Sequence, residues 1–522
     1  HTAYRRQRQM CIRDRIYMET KSTVYSLILL LCTLSFQASA QSESYKKNWK
    51  SLSKENAYNR EPDWLKDAKF GIYLHWGVYS VPAYSYEWYS RHMFMESRKE
   101  YQYHKEHYGD PREFGYDKLV PLFRAEHFNA KEWVDLFQRA GAKFGGQVAE
   151  HHDGVAMWDS KITPWNVALM GPKRDVLGEY SRELKKHGMK VMTTFHHARL
   201  LQRYKNTERP DRPEFWDLYD SHFPYSEEMP TSSNNPMLRL LYGNVTPEEF
   251  YEPIWLGELK EVIDNYSPDI IYFDSWLNLI PEEYLYKFTQ YFLEDAKKKN
   301  KEVAIFRKQE DLPLNVSMEI LEKSRKQEIE SRLWTTEETI STDSWCFTED
   351  MELRKSEDLI NVLIDVVSKN GVLMLNVSPR SDGIIPQEQQ SILLNIGDWL
   401  KINGEAIYGT RPWYVFGEGP TSQPVGDFEN HKEFMKLKYT ADDVRYTTKG
   451  KTVYAITLGV PEAGKTMTFK SFKKKIKALK IENVSVIGSN QLVPWELTKE
   501  GLQVKVPIVQ GNNAVVFKIE CN

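Results

Sequence analysis

The chain has 522 residues, which is longer than one ordinary hydrophobic core requires and therefore predicts two domains. Its formal net charge is −3 at pH 7, so the bulk charge does not indicate a nucleic acid or a membrane surface as partner. Aromatic residues are abundant, with 15 Trp, 30 Tyr and 23 Phe. Such rings stack on the apolar faces of sugars, but a large aromatic core accounts for the same composition.

The N-terminal stretch predicts a processed leader. Residues 1–17 are interpreted as upstream, non-native sequence, and residues 18–40 as a signal peptide. Lys21 supplies its positive charge, 27–34 its apolar run, and small residues ending at Ala40 its cleavage site. That apolar run is shorter than the roughly 20 residues that span a bilayer. We therefore expect a secreted or periplasmic protein without a membrane span, cleaved near Ala40.

From about residue 60 to residue 410, strand-like runs alternate with amphipathic helices. Strands are expected at 70–74, 144–149, 190–195, 270–273, 303–306 and 372–377. Helices are expected at 129–141, 174–187, 255–265, 282–299, 356–368 and 387–402. This order of strand and then helix predicts a parallel sheet, and its repetition favours a (β/α)₈ barrel, which we assign to residues 41–410.

The composition and the hydrophobic pattern of the sequence change at about residue 411. Pro and Gly become common, and short segments alternate between apolar and polar residues, as in 502–506. Similar segments are found at 453–458 and 514–519. Residues 411–522 are therefore predicted to form a C-terminal antiparallel β-sandwich.

Polar residues follow five of the predicted strands. They are His75, Glu150-His151-His152, His196-His197, Asp274 and Arg307. Because the carboxyl ends of barrel strands converge on one mouth, we expect these side chains to share a site. Asp274, which follows the buried run 270–273, is a candidate nucleophile or acid/base; the alternative is a helix N-cap or a loop ion pair.

Several segments in a fixed order carry a resemblance to a known family. They are Phe-Gly-Ile-Tyr-Leu-His-Trp-Gly at 70–77, Glu-Trp-Tyr at 87–89, His-His-Asp-Gly at 151–154, Gly-Pro-Lys-Arg-Asp at 171–175, and Ser-Lys-Asn-Gly at 368–371 leading to Leu-Asn-Val at 375–377. From about Asp63 to Trp413 the chain resembles the family 29 glycoside hydrolases, the α-L-fucosidases. The resemblance implies a (β/α)₈-like TIM barrel followed by a β-sandwich. It also implies an exo-acting retaining enzyme that hydrolyses terminal α-L-fucose from glycans through a covalent glycosyl-enzyme.

The resemblance assigns Asp274 as the catalytic nucleophile. The acid/base of this family lies in a variable loop, in which some members resemble Asp-x-Glu-Arg-Gly-Arg. This chain has Ile-Leu-Glu-Lys-Ser-Arg at 320–325, which keeps the Glu and the final Arg. Glu322 is therefore our choice for the acid/base. Glu319, Glu337 and Glu338 are the alternatives, and any of the four is otherwise an ordinary surface glutamate.

The resemblance also implies a set of sugar-binding residues. The side chains expected to hold the fucose hydroxyls or line the pocket are His75, Glu87, Trp88, His151, His152 and His196, with His197 as the alternative to His196. Tyr73 and Trp345 match positions that enclose the 5-methyl group, and Arg307 is expected to orient the nucleophile or to meet the acid/base loop. The His-His pairs suggest a metal, but no third ligand accompanies them at a zinc-like spacing. We therefore expect no metal and no cofactor.

Two further hypotheses stay open at this point. One is a glycosidase of the same fold with a shifted sugar preference, such as an α-L-galactoside. The other is a catalytically inactive fucose-binding relative, which the imperfect loop around Glu322 motivates. The expected partner in each case is a fucosylated or similar oligosaccharide or glycoconjugate and not a nucleic acid; the sequence carries no signal for linkage preference or oligomeric state.

Overall fold

The computed structural model describes residues 48–52, 54, 61–202, 221–425, 431–474, 480–509, 511 and 513–522. Residues 1–58 form a unit separate from residues 59–522, and within it residues 48–52 are helical. The predicted upstream segment 1–17 and the predicted signal peptide 18–40 lie outside the described residues. No helix in the described part of the chain combines the length and the apolar character needed to cross a membrane.

Eight parallel strands close into a barrel in chain order, with β1 pairing with both β2 and β8. Their bounds are Phe70–Leu74 (β1), Phe144–Glu150 (β2), Lys190–Phe195 (β3), Ile270–Phe273 (β4), Ala304–Arg307 (β5), Met318–Glu322 (β6), Trp334–Thr339 (β7) and Gly371–Val377 (β8). The predicted (β/α)₈ barrel is confirmed. Strands β1–β5 and β8 agree with the sequence to within one residue, whereas β6 and β7 were not predicted.

The barrel interior is filled by apolar side chains from alternate strand positions. On β4, Ile270 and Tyr272 belong to this interior cluster, and on β5 Ala304 and Phe306 do. The positions between them face outward; Phe273, for example, packs edge-on against Phe288 of the surrounding helices. This period of two decides which polar residues at the strand ends turn into the mouth of the barrel.

Helices alternate with the barrel strands and continue into the loops and the C-terminal region. The longer ones are Lys99–His107, Ala130–Arg139, Val176–Lys186, Gly257–Tyr266, Glu282–Lys298, Ser356–Ser368 and Gln387–Asn403. The shorter ones are Asp63–Ala68, Tyr89–His92, Tyr116–Leu119, Pro236–Leu241, Pro247–Phe250 and His431–Lys436, with a π-helical turn at Tyr251–Leu256. Local chemistry sets four of the starts, because these side chains accept backbone N–H bonds as N-caps: Asn129, Asp175, Asn235 and Thr246.

The C-terminal strands form two antiparallel sheets, which confirms the predicted class of this region. One sheet has the order β13-β16-β11-β10-β9 and the other the order β12-β15-β14. The bounds are Arg411–Glu418 (β9), Val444–Lys449 (β10), Thr452–Thr457 (β11), Thr466–Phe469 (β12), Ile481–Val486 (β13), Trp495–Thr498 (β14), Gly501–Lys505 (β15) and Val515–Cys521 (β16). Alternate residues such as Met467, Val504 and Phe517 fill one apolar core between the sheets.

A buried ion cluster joins the barrel to the C-terminal sheets. Asp365, on the helix Ser356–Ser368, accepts hydrogen bonds from Lys369 at 2.9 Å and from Arg445 of β10 at 2.5 Å. All three side chains are almost fully buried. Burial alone would raise the pKa of Asp365, but the two cations outweigh it and hold the pKa well below its usual range.

Candidate active site

Successive side chains on a barrel strand point alternately inward and outward, and this places a set of polar side chains in one mouth of the barrel. Each lies two residues after an inward-facing position of its strand or ends the strand itself. The residues placed in this way are His75 after β1, His196 after β3, Asp274 after β4, Lys308 after β5 and Glu322 at the end of β6. They meet at the carboxyl ends of the strands, which is where the active site of a (β/α)₈ barrel lies.

Asp274 lies at the centre of this group and keeps an opening to solvent, with 20% of its side chain exposed. Its Oδ1 is 2.5 Å from Nζ of Lys308 and accepts the backbone N–H of Ser275 at 2.7 Å. Its Oδ2 is 2.7 Å from Nε2 of His196. Burial favours the neutral acid, but Lys308 and His196 outweigh it, so the pKa of Asp274 lies well below its usual range. Asp274 is therefore a carboxylate at neutral pH, as a nucleophile must be.

Lys308 joins Asp274 to two further carboxylates. Its Nζ lies 2.7 Å from Oε2 of Glu322 and 2.8 Å from Oε1 of Glu337. Since Asp274 and Glu322 contact the same nitrogen, their facing oxygens are no further apart than the two contacts laid end to end. That upper limit for the nearest oxygens, about 5 Å, is compatible with the carboxyl separation of roughly 5–5.5 Å in retaining glycosidases.

The inward or outward direction of each strand position also distinguishes the four glutamates that are candidates for the acid/base. Glu319 points outward and pairs with Lys326 at 2.7 Å, with 41% of its side chain exposed. Glu338 points outward from β7 and pairs with Arg354. Glu337 faces inward, but only 2% of its side chain is exposed, against 16% for Glu322. Of the four, Glu322 therefore combines contact with the Asp274 cluster and access to a leaving group.

Three imidazoles stand beside Asp274. The ring of His75 lies 5.9 Å from that of His151 and 5.5 Å from that of His196, centre to centre. Burial lowers the pKa of His75 to about 3 and that of His151 well below its usual range, so both rings are neutral at neutral pH. A neutral imidazole carries one donor and one acceptor, which suits sugar hydroxyls.

The same three imidazoles are close enough to hold a metal ion, since one ring nitrogen from each lies within 4.8 Å of the others. No third ligand is evident along the sequence, because His75 is far from the His-His pairs. The fold supplies that third imidazole. The expectation that the site holds no metal therefore stays a prediction.

Glu87, His152, Trp88 and Trp345 extend the wall of the pocket. Glu87 accepts the backbone N–H of Trp345 at 3.3 Å, and burial raises its pKa to about 7. The Trp88 ring lies 4.8 Å from the ring of His152. The Trp345 ring lies 5.3 Å from that of His75. The structure thus brings these expected sugar-binding residues to the same mouth as Asp274.

The side chains of His196 and His197 point in opposite directions at the end of β3. His196 turns inward to Asp274. His197 turns outward, where it stacks at 5.9 Å on Trp255 and hydrogen-bonds the Trp255 carbonyl at 3.1 Å. The residue facing the mouth is therefore His196.

Two expected site residues lie elsewhere than the sequence suggested. Arg307 points away from the mouth, because its guanidinium binds Ser317 Oγ at 3.2 Å and the carbonyl of Gln309. The cation that meets Asp274 is Lys308, the next residue, so the expectation that Arg307 orients the nucleophile was wrong by one position in the strand alternation. The alternative expectation, a contact of Arg307 with the acid/base loop, stays a prediction. Tyr73 is fully buried beneath the pocket and donates its hydroxyl to Glu337 at 2.5 Å. Its expected contact with a sugar methyl group stays a prediction.

Sequence reasoning missed Lys308 and Asn376. Asn376 lies on β8 and binds both the backbone and the ring of His75. Both residues had a signal in the pattern: Lys308 lies two positions after Phe306, and Asn376 lies two positions after Met374, and both of these apolar residues belong to the barrel core. Counting by two from the core would have placed both side chains in the mouth.

Comparison with known proteins agrees with this fold. The profile described as "Alpha-L-fucosidase" matches residues 32–405, and that described as "Alpha-L-fucosidase C-terminal domain" matches residues 438–520. The chain is 30% identical over 466 residues to the tissue alpha-L-fucosidase of Homo sapiens, covering 86% of each protein. It is also similar to the crystal structure of Thermotoga maritima alpha-fucosidase in complex with fucose, with a TM-score of 0.68 and 25% identity. That match covers 88% of this chain and 96% of the Thermotoga chain.

A second Thermotoga structure, in complex with a mechanism based inhibitor, matches with a TM-score of 0.69 at 25% identity over 90% of this chain and 99% of its own. The first profile spans well over half of the chain and contains every strand of the barrel. The fold, the order of the domains and the sequence profile thus lead to one conclusion. The chain belongs to the α-L-fucosidase family of glycoside hydrolases.

Proposed function

We propose that this protein is a secreted, exo-acting, retaining α-L-fucosidase in which Asp274 is the nucleophile and Glu322 is the acid/base. The observation that carries this assignment is the shared contact of the two carboxylates with Lys308, at 2.5 and 2.7 Å. These contacts hold the nearest oxygens of the two carboxyl groups within about 5 Å of each other, closer than the roughly 6.5–9.5 Å that admits a water in inverting enzymes, which favours double displacement over inversion.

The first step uses the two carboxyl groups in different protonation states. Asp274 attacks the anomeric carbon as a carboxylate while Glu322 gives its proton to the leaving oxygen. The bond from the anomeric carbon to that oxygen breaks as the ester bond to Asp274 forms. Lys308 and His196 favour the ionised form of Asp274 in the free enzyme.

The second step reverses these roles. Glu322, now a carboxylate, takes a proton from a water whose oxygen attacks the anomeric carbon. The ester bond breaks, and its electron pair returns to Asp274. The accessible position of Glu322, at 16% side-chain exposure, supports its exchange with both leaving group and water.

The walls of the mouth support recognition of one terminal sugar. The imidazoles of His75, His151 and His196 are nearly fully buried, while the catalytic pair keeps a small opening. The neutral rings of His75 and His151 supply hydrogen-bonding nitrogens to the hydroxyls of a single sugar ring. A narrow opening of this kind favours action at chain ends over action within a polysaccharide.

The catalytic assignment is tested with a para-nitrophenyl α-L-fucoside. Asp274→Ala is expected to lower kcat by at least about 10⁴-fold. Glu322→Ala is expected to lower kcat by about 10²–10⁴-fold, and azide is expected to restore turnover because it attacks the glycosyl-enzyme without a general base. Glu319→Ala is the matched control and is expected to keep wild-type activity. Azide rescue of Glu337→Ala and not of Glu322→Ala would show that the acid/base is misassigned.

Secretion is tested separately by expressing residues 18–522 in a bacterial host and sequencing the N-terminus of the mature protein. The proposal expects export and a new N-terminus at Gln41, because the small residues at 38–40 form the predicted cleavage site. Retention in the cytoplasm with residues 18–40 intact would contradict it.

A further inference from the structure

Glu337 occupies an unusual position for a carboxylate, inside the barrel and below the catalytic pair. Only 2% of its side chain is exposed. Its Oε2 accepts the hydroxyl of Tyr73 at 2.5 Å, and its Oε1 accepts the hydroxyl of Tyr272 at 2.9 Å. A buried charge is tolerated only when it is paired and hydrogen-bonded, and Glu337 has both kinds of partner.

The ammonium of Lys308 is its ionic partner, at 2.8 Å. An ammonium group has three N–H donors, and Lys308 meets three carboxylates, those of Asp274, Glu322 and Glu337. All its donors are therefore occupied within the protein. The role of Lys308 is electrostatic, because no N–H remains for a sugar hydroxyl.

The charge balance around this ammonium matters for the reaction. The titratable or charged groups that face Glu337 or its cluster are Tyr73 from β1, His196 after β3, Tyr272 and Asp274 from β4, Lys308 after β5 and Glu322 from β6. Three ionised carboxylates around one cation would leave a buried net negative charge. One proton is therefore favoured within the cluster.

We propose that Glu337 is a positioning residue that anchors the Lys308 ammonium midway between the two catalytic carboxylates, so that one fixed cation serves both steps of the reaction. This inference rests on the proposed roles of Asp274 and Glu322. In the first step the negative charge leaves Asp274, which becomes an ester, and appears on Glu322, which has given up its proton. The charge returns in the second step. Because Lys308 contacts both groups, it balances either state without moving.

Glu337 itself does not act on the sugar in this arrangement. Its two oxygens are held by the tyrosine hydroxyls, and it lies on the side of Lys308 that is closed to solvent. Burial raises its pKa above its usual range, and Lys308 opposes that rise. Glu337 thus adds negative charge to the cluster in proportion to its ionised fraction.

The test is the pH profile of kcat/KM for Glu337→Gln, which keeps the size of the side chain and removes its charge. Without that charge the two catalytic carboxyls ionise more readily. We therefore expect the alkaline limb, where the acid loses its proton, to move to lower pH by about one unit, with kcat reduced at the wild-type optimum. Lys308→Met removes a positive charge and is expected to move the same limb to higher pH.

Glu338→Gln is the matched control. It makes the same substitution at the next residue of β7, which is equally buried but pairs outward with Arg354. It is expected to lower thermal stability and to leave the limb in place. Shifts of opposite sign in Glu337→Gln and Lys308→Met support the proposal. If the alkaline limb of the pH profile does not move in Glu337→Gln, the proposal is overturned. If that variant does not fold, an alkaline limb that does not move in Lys308→Met overturns the proposal.

Azide separates this proposal from the assignment of the acid/base. Glu337→Gln is expected to gain no turnover from azide, since Glu322 remains in place. If azide restores Glu337→Gln and does not restore Glu322→Ala, Glu337 is the acid/base, and both the positioning role and the Glu322 assignment are wrong. If azide restores Glu322→Ala but the limb is unmoved in Glu337→Gln, the positioning role alone fails.

Discussion

The side-chain oxygen of Asn376 fixes the tautomer of His75. Asn376 Nδ2 donates to Thr339 Oγ1 at 3.1 Å and to the Trp345 carbonyl at 2.6 Å, so its Oδ1 is the acceptor. That oxygen receives the backbone N–H of His75 and lies 2.9 Å from Nδ1 of the ring. The proton of neutral His75 therefore sits on Nδ1, and Nε2 faces the pocket as an acceptor.

Replacing Asn376 by Leu is expected to release the His75 ring and to weaken its acceptance of a sugar hydroxyl. Loss of one such buried hydrogen bond costs about 1–3 kcal/mol, which corresponds to a rise in KM of roughly 5- to 150-fold. Steady-state kinetics with an aryl fucoside measures this rise. Asn361→Leu, which removes a hydrogen bond to the Leu458 carbonyl far from the mouth, is the control. An unchanged KM in Asn376→Leu would contradict the role given to His75.

The buried histidines predict loss of stability in acid. Burial lowers the pKa of His75, His92 and His197 to about 3, and those of His151, His152 and His222 well below their usual range. In the unfolded chain a histidine titrates near 6.5. Between about pH 6.5 and pH 3 the unfolded state therefore binds protons that the folded state excludes, so the free energy of unfolding falls as the pH falls.

His197 isolates this effect, because it lies outside the pocket. Each such histidine contributes a slope of about 1.4 kcal/mol per pH unit, and His197→Gln is expected to remove one. Urea unfolding at several pH values between 6.5 and 4 measures the slope. A variant with the wild-type slope, or a wild type that gains stability on acidification, would show that these imidazoles are not excluded from protonation.

The ion cluster between the barrel and the C-terminal sheets is predicted to be sensitive to loss of one member. Asp365→Ala leaves the buried cations of Lys369 and Arg445 without their carboxylate partner and is expected to cost about 3–5 kcal/mol of unfolding free energy. Asp358→Ala, on the same helix, breaks an exposed pair with Lys438 and is expected to cost no more than about 1 kcal/mol. Urea unfolding of both variants checks this, and equal costs would contradict the structural role of the cluster.

Trp345 is expected to help distinguish a methyl group from a hydroxymethyl group at the sugar C5. Its backbone N–H and carbonyl hold Glu87 and Asn376, and these contacts survive in Trp345→Ala. Loss of the ring is expected to narrow the preference for α-L-fucoside over α-L-galactoside by about 1–3 kcal/mol, or roughly 5- to 150-fold in the ratio of kcat/KM. An unchanged ratio for the two aryl glycosides would place the discrimination elsewhere.

Most strands of the barrel could be predicted from the sequence, because they are apolar runs with clear bounds. Strands β6 and β7 were not, since Trp334–Thr339 is rich in Thr and Glu and resembles an exposed segment. Its polar side chains are buried because Glu337 finds Lys308 and two tyrosines inside the barrel, while Glu338 finds Arg354 outside. Because these partners are distant along the chain, the sequence around β7 does not indicate that its glutamates are buried.

The candidate site likewise contains residues that the sequence identifies and residues that it does not. Asp274 and His75 were found because each follows a recognisable strand. Lys308 was passed over for Arg307, since both are cations at the end of β5 and only the inward or outward direction of the position separates them. That direction is fixed by the register of the whole barrel, through the core positions of Ala304 and Phe306.

The most direct test of the central claim is to trap the glycosyl-enzyme. A 2-deoxy-2-fluoro-fucosyl donor with a good leaving group slows both steps by destabilising the oxocarbenium-like transition state, so the ester accumulates. Peptide mass spectrometry of the inactivated protein is expected to find one fluorofucosyl group on the peptide containing Asp274, and none in Asp274→Ala. A label on Glu322 or Glu337, or full turnover without any label, would contradict the account.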